Sequence, residues 1–311
     1  MQTFKLKSGK ILLLSFILIS TLMHQNTSAQ SGYFNNNAPL LNARSASLAD
    51  AGISDPYDVN IMYLNPGALT NLSSSSIILN HSQEKSINGK TESVAMPIRI
   101  GPNDVLAIGL MANHTGYTEE NVTPEFKIIQ YGYNIAYSRQ IVPSVSVGTE
   151  IGVRYARSQT SSVWSVRSSL GFFYSPSQEI SYGVTYNGIG NGVGYTFDGV
   201  STLLYSTSPP RSLQAGLSMH FPSDFQERVL TCVISNEKVF GQSGIIYKGG
   251  IEYFIFRFFA LRAGYKVAET NKIGIFGCGI KTEPIKIDFS VSPAKSSAQA
   301  MFISLSLKFW R

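Results

Sequence analysis

From about Ser73 onward the chain falls into segments of roughly ten residues in which apolar and polar side chains alternate. Ile129, Tyr131, Tyr133, Ile135 and Tyr137 make the clearest one. Val145 to Tyr155, Leu213 to Phe221, Phe259 to Val267, Ile285 to Val291 and Met301 to Phe309 repeat the pattern. Period two places one set of side chains on each face of a strand. Strands of about ten residues, tilted, span the hydrocarbon of a bilayer. No run after residue 29 is apolar enough for a helical span, since the longest, Tyr253 to Leu261, is broken by Arg257. A chain that crosses a membrane without such helices must close its strands into a barrel, because lipid satisfies no backbone hydrogen bond. The expected fold is therefore all-β: a transmembrane antiparallel barrel of about 14 strands. The alternation is weakest in the first two segments, near Ile77 to Gln83 and Glu92 to Ile98.

The connections alternate as well. Every second one is short and usually carries proline (Pro97 and Pro102, Pro143, Pro176, Pro222, Pro284), whereas those between them, such as Thr115 to Glu125 and Gly188 to Pro210, are often longer and polar. Tight turns on one rim and long loops on the other are the habit of outer-membrane barrels. The tight rim is expected to be periplasmic, because both ends of the wall lie there. Aromatics beside these turns (Tyr137, Phe172 to Tyr174, Phe221, Phe254, Phe256, Phe258, Phe259, Phe309, Trp310) form a candidate interfacial girdle. A soluble sandwich with an aromatic core is the competing reading, but it has no reason to sort its turns by rim.

Residues 1–29 have the plan of a cleaved secretory leader: Lys5, Lys7 and Lys10, an apolar stretch from Ile11 to Met23, and a small-residue site at Thr27-Ser28-Ala29. Its removal lowers the formal charge from +6 to +3 (three lysines, no acids), so the basic balance gives no support for nucleic-acid binding. Two further units are expected: an N-terminal extension over 30–72 and the barrel over 73–311. Cys232 and Cys278 each fall inside a strand-like segment, where two unpaired thiols packed as small apolar groups, or a bridge between them, are the open readings.

The stretch from Asn42 to Leu72 is neither strand nor turn. Asn42 is placed to cap a small-residue helix over Ala43 to Ala51, with Gly52 to end it. Asp55, Pro56 and Asp58 read as a second helix start, running to the Asn65-Pro66-Gly67 break. Two short helices with few charges need a concave surface to sit in. The lumen is the surface on offer, which makes this stretch a candidate plug or hatch.

The series Ala43-Arg44-Ser45-Ala46, Asp50-Ala51-Gly52, Asp55-Pro56, Asp58-Val59, Tyr63 and Asn65-Pro66-Gly67 resembles the N-terminal signature of the PorV/PorQ proteins, relatives of the FadL-type barrels. The resemblance covers about thirty residues closely and the rest by architecture. The family usually ends the motif Asn-Pro-Ala-Gly-Leu or Asn-Pro-Ala-Leu, against Asn65-Pro66-Gly67-Ala68-Leu69 here. It implies a component of type IX protein secretion or cell-surface attachment, with cargo proteins or other secretion-system components as partners beside outer-membrane lipid and lipopolysaccharide. Gly188 to Pro210 is the first candidate for a partner-facing loop. The alternatives are FadL-like uptake of a small hydrophobic molecule, with the same stretch as hatch, and a purely structural barrel.

Period two assigns nine charges to the lumen: Glu150, Arg154, Arg167, Lys248, Glu252, Arg262, Lys266, Lys286 and Asp288. Charges there must be wet or paired. They form either a stiffening lattice of ion pairs or a polar conduit, and both disfavour an uninterrupted apolar tunnel. No catalytic set announces itself. His81, His114 and His220 stand alone on separate segments, where rim positions are expected; no metal-ligand spacing occurs; and Gly188, Gly190, Gly192 and Gly194 lack the strand-to-helix setting of a phosphate cradle. A non-enzyme without cofactor or metal is expected.

Overall fold

A computed structural model describes residues 42–310 except 73–74, 86–87, 118–125, 158–160, 191–193, 198–209, 223–228, 270–271 and 293–299. The expected leader and residues 30–41 of the N-terminal extension lie outside these residues. The strands are β1 (Ser75–Glu84), β2 (Gly89–Arg99), β3 (Asp104–Tyr117), β4 (Phe126–Val142), β5 (Val145–Arg157), β6 (Ser161–Tyr174), β7 (Ile180–Gly190), β8 (Gly194–Phe197), β9 (Ser212–Phe221), β10 (Leu230–Val239), β11 (Ile246–Ile255), β12 (Phe259–Val267), β13 (Lys272–Thr282), β14 (Ile285–Ser292) and β15 (Ala300–Trp310). Each pairs antiparallel with its neighbours, β1 pairs with β15, and β5 pairs with β6, so the sheet closes on itself. The short β8 adds only to the long-loop end of β6, leaving a ring of 14 strands.

The pleat sorts the wall as its alternation requires. Tyr133, Ile135, Ile151, Leu170, Ile234, Ile251, Leu261 and Ile287 stand on the outer face. Ser138, Glu150, Ser169, Ser218, Glu252, Asp288 and Ser304, from the intervening positions, are buried inside. An apolar exterior around a polar interior is stable only in lipid. The chain is an outer-membrane β-barrel.

Some local expectations are corrected. Pro97 lies within β2, opposite Ala107, rather than in a turn. Phe173 and Phe254 leave the girdle: they share the parity of inward Gly171 and Glu252, and Phe173 is buried in the lumen. Neighbours in a strand cannot both face lipid. Gly188 and Gly190 belong to β7 and Gly194 to β8, so the wall continues where a loop was expected; 191–193 and 198–209 lie outside the described residues. Cys232 and Cys278 are free.

Eight strands close tightly enough for wall side chains to fill the centre, whereas 14 do not. Here Asn42–Leu72 fills it, in the half near the tight rim. Helix α1 (Ala43–Ser47) packs on the β12–β15 side, and α2 (Ile61–Leu64) leads into a 3₁₀ turn (Pro66–Asn71) against β4, β5 and β6. The segment crosses from one wall to the other.

Both helices differ from expectation. Asn42 does cap α1, its side-chain oxygen accepting from the Ser45 N–H at 2.7 Å. The helix ends early, however: Ala49 and Asp50 take left-handed φ values of 55° and 59°. Asp50 N bonds Ser45 O (3.0 Å) and Ala49 N bonds Ala46 O (2.9 Å), the paired closure of a Schellman cap without its usual glycine. Asp55 and Pro56 start no helix. The Asp55 carboxylate is taken by Arg44, and α2 begins only after Asn60, whose N–H donates to Asp58 Oδ1 at 3.0 Å. Asn65-Pro66-Gly67 does not stop the chain turning: Asn65 caps the 3₁₀ turn and Pro66 opens it.

Candidate functional site: the plug and its seat

The plug can approach the wall because the wall lacks side chains where they meet. Inward positions are glycine at 109, 148, 171, 183, 216, 250, 264 and 277, and a Cβ at any of them would collide with the plug. At Gly148 it would lie 2.5 Å from the Pro66 carbonyl oxygen, and at Gly264 2.6 Å from Ala49 N. Three pairs face each other across the ladder: Gly148 and Gly171, Gly183 and Gly216, Gly250 and Gly264. Backbone therefore lies against backbone, and the exposed carbonyls of an irregular segment must find donors. Wall serines supply them. Ser138 and Ser146 donate to Gly67 O (3.0 and 2.7 Å) and Ser181 donates to Ser54 O (2.5 Å), while Ser304 Oγ acts the other way and accepts from the plug's Ala43 N–H (2.7 Å). Asn65 uses its whole amide: Oδ1 accepts from Gly67 N (3.0 Å), while Nδ2 donates to Ile53 O (3.1 Å) and Phe172 O (2.9 Å).

An ion network latches the α1 side. Arg44 Nη2 lies 2.7 Å from both Asp55 Oδ2 and Glu252 Oε1, and its Nε donates to Glu252 Oε2 at 2.9 Å. Glu252 also receives Arg262 Nε (2.5 Å). Arg262 Nη1 lies 2.9 Å from Asp288 Oδ1, and Lys286 Nζ lies 2.8 Å from Asp288 Oδ2. Three cations and three carboxylates alternate, so the buried set is neutral. Tyr57 of the plug lies beneath two of the cations, its ring centre 3.8 Å from the Arg44 guanidinium and 4.2 Å from Lys286 Nζ. Burial, with Glu252 adding to it, raises the Tyr57 phenol above its ordinary range, so the ring stays neutral. Asn42 Nδ2 donates to Asp58 Oδ2 at 2.7 Å, which ties the start of the plug to its middle.

The nine inward charges thus divide into three groups. Glu252, Arg262, Lys286 and Asp288 join Arg44 in the latch. Lys248 pairs with Glu237 at 2.8 Å. Beside that pair, burial raises the Asp50 carboxyl against the pull of Lys248 and Lys266. Glu150, Arg154 and Arg167 form the third group, on β5 and β6, with Asn134 and Ser169 bonding the carboxylate. Gly52 is half-buried and Pro56 buried within the plug. Tyr63 packs with Met62 and Met111 in the apolar cluster beneath the third group.

His220 is not a rim residue: it is 2 % exposed, with Nε2 3.8 Å from Asp55 Oδ1 and Nδ1 3.3 Å from Thr231 Oγ1. Its place on the lumen parity of β9 was the available signal. The glycine seat was also missed. Its signal is glycine recurring at inward positions, which single strands do not reveal. Among the described residues, no group of histidine, cysteine and carboxylate side chains could hold a metal ion.

No protein-family model matches the sequence, and no curated protein is similar to it in sequence. Solved structures share its fold. The CymD monoaromatic hydrocarbon channel superposes with a TM-score of 0.66 at 14 % identity, covering 87 % of this chain and 98 % of that one. The toluene transporter TbuX of Ralstonia pickettii gives 0.63 at 14 % identity (88 % and 100 %). A FadL homologue of Pseudomonas aeruginosa gives 0.61 at 12 % identity (88 % and 98 %). The fold is that of the FadL-like outer-membrane channels.

Proposed function

We propose that this barrel is a gated channel that admits a small molecule across the outer membrane, with Asn42–Leu72 as its hatch. One observation carries the reading: the only filling described in a ring of 14 strands is a separate segment, seated on glycine and serine and held by noncovalent contacts. The named functions of the structural neighbours support it. Their hydrocarbon substrates do not transfer directly, because the lumen here is lined with hydroxyls and charges. The passage suits a solute with a polar group better than a pure hydrocarbon.

A disulfide across the hatch tests this. Ser54 Oγ and Ser218 Oγ lie 2.7 Å apart, joining plug to β9. In a background with Cys232→Ala and Cys278→Ala, the pair Ser54→Cys and Ser218→Cys should cross-link. Uptake of toluene or benzoate by proteoliposomes should be lost on oxidation and regained on reduction. Uptake that persists through a complete cross-link would remove the hatch.

A second reading, the secretion or surface-attachment platform implied by the PorV/PorQ resemblance, is favoured by the neutral buried latch, which suits a plug that never leaves. On that reading neither solute crosses in either redox state, and affinity purification from gently solubilised envelopes recovers cargo or secretion-system proteins.

A further inference from the structure

We infer that the outer face of β2–β5 at the long-loop rim docks lipopolysaccharide, with Lys90, His114 and Arg157 against its anionic groups. The inference concerns the outside of the wall and stands whether or not the lumen conducts. Toward the long-loop end of this face the apolar band gives way to aromatic rings. Tyr131, Tyr155 and Trp164 are successive register partners on β4, β5 and β6, and the rings of Tyr155 and Trp164 lie 4.6 Å apart. Rings of this kind mark the level of the lipid headgroups. Two residues farther along the strands, a rise of about 7 Å, the next outward row runs Lys90, His114, Ile129, Arg157 across β2 to β5. Its three polar members are exposed. With the tight rim toward the periplasm, this row stands at headgroup depth in the outer leaflet.

The row is cationic and its charges are available. Lys90 and Arg157 pair with no acid among the described residues. Glu92, the outward carboxylate of this sector, lies 2.7 Å from His81 Nδ1. The rest of the ring is different. Of the other outward cations described at this end, Lys238 donates to the carbonyls of Gln242 (2.8 Å) and Gly244 (3.0 Å), and Lys272 stands alone opposite Val267. Spacing selects the kind of lipid. Lys90 and Arg157 are three strands apart, about 14 Å around the wall, and a strand tilt of about 35–45° sets them at different depths. A glycerophospholipid offers its phosphate at one depth only. Lipopolysaccharide carries phosphates on lipid A and further acidic groups on the inner-core sugars above, so its anions extend outward along the molecule. An ammonium and a guanidinium both bind such oxygens by charge-assisted hydrogen bonds, and the His114 ring between them adds a donor.

The test uses the full-length protein in detergent with EDTA, so that no divalent ion bridges the anions, and follows adducts by native mass spectrometry. The probes are rough-type lipopolysaccharide with its inner core and phosphatidylglycerol, each alone and against inorganic phosphate as competitor. Lipopolysaccharide should be retained in preference to phosphatidylglycerol and should resist phosphate at equal concentration. The double variant Lys90→Gln with Arg157→Gln should bind it at least about tenfold more weakly, whereas Lys272→Gln, on the opposite part of the outer face, should bind it as the wild type does. Equal retention of phosphatidylglycerol would reduce the surface to a general anionic-lipid contact, and displacement by equimolar phosphate would reduce it to a free-phosphate site. Either result overturns the assignment. So does unchanged binding in the double variant, or an equal loss in Lys272→Gln. The wild-type comparison of the two lipids decides even if a variant fails to fold.

Discussion

Replacing Arg44 by methionine should uncouple the plug from the wall. The substitution keeps much of the length and apolar stem but removes the charge-assisted contacts to Asp55 and Glu252 and the stacking over Tyr57. Glu252 keeps Arg262, and Asp55 keeps His220 at 3.8 Å. Two carboxylates that are almost wholly buried thereby lose their main partner. Removing one member of a buried pair costs about 3–5 kcal/mol. The retained Arg262 places the expected loss toward the lower end of that range. The loss belongs to the plug, since the wall ladders are untouched. Two readouts separate plug from wall. Heat-modifiable gel migration follows the barrel and should shift modestly; planar-bilayer conductance follows the lumen and should rise. A double-mutant cycle with Glu252→Gln isolates the pair, and contacting residues of this kind couple by about 0.5–3 kcal/mol. Additivity within about 0.5 kcal/mol, or unchanged conductance in a stably inserted Arg44→Met barrel, would refute the latch.

Gly148→Val should push the 3₁₀ turn off its seat, because even a Cβ would meet the Pro66 carbonyl at 2.5 Å. A cost of about 1–3 kcal/mol with raised conductance is expected, and normal conductance in this variant would contradict the seat. Leu305 points outward between buried Ser304 and Ser306 near the middle of β15. Leu305→Arg should cost about 2–4 kcal/mol in reversible unfolding into lipid vesicles, and a neutral result would deny that this face meets hydrocarbon. Deleting Asn42–Leu72 should leave an inserted, heat-modifiable barrel of raised conductance; loss of insertion would show that the wall cannot form without its filling.

The wall was legible in the sequence because a strand has only two faces. Period two alone put Ile135 and Leu261 outside and Glu150, Glu252 and Arg262 inside, and the sorting of short and long connections set the two rims. Capping was legible at Asn42, whose partner is three residues away. The tertiary structure decided whatever depended on angle around the barrel and depth within it. Arg44 meets Glu252 across a separation of 208 residues, and no local pattern distinguishes that carboxylate from Glu150 on the far wall. The end of α1 before Ala49 and the diversion of Asp55 from capping to ion pairing follow from the same cause: the glycine seat and the buried charges outweigh the small helix preferences of the plug. Which inward charges meet across the lumen is a property of the closed ring.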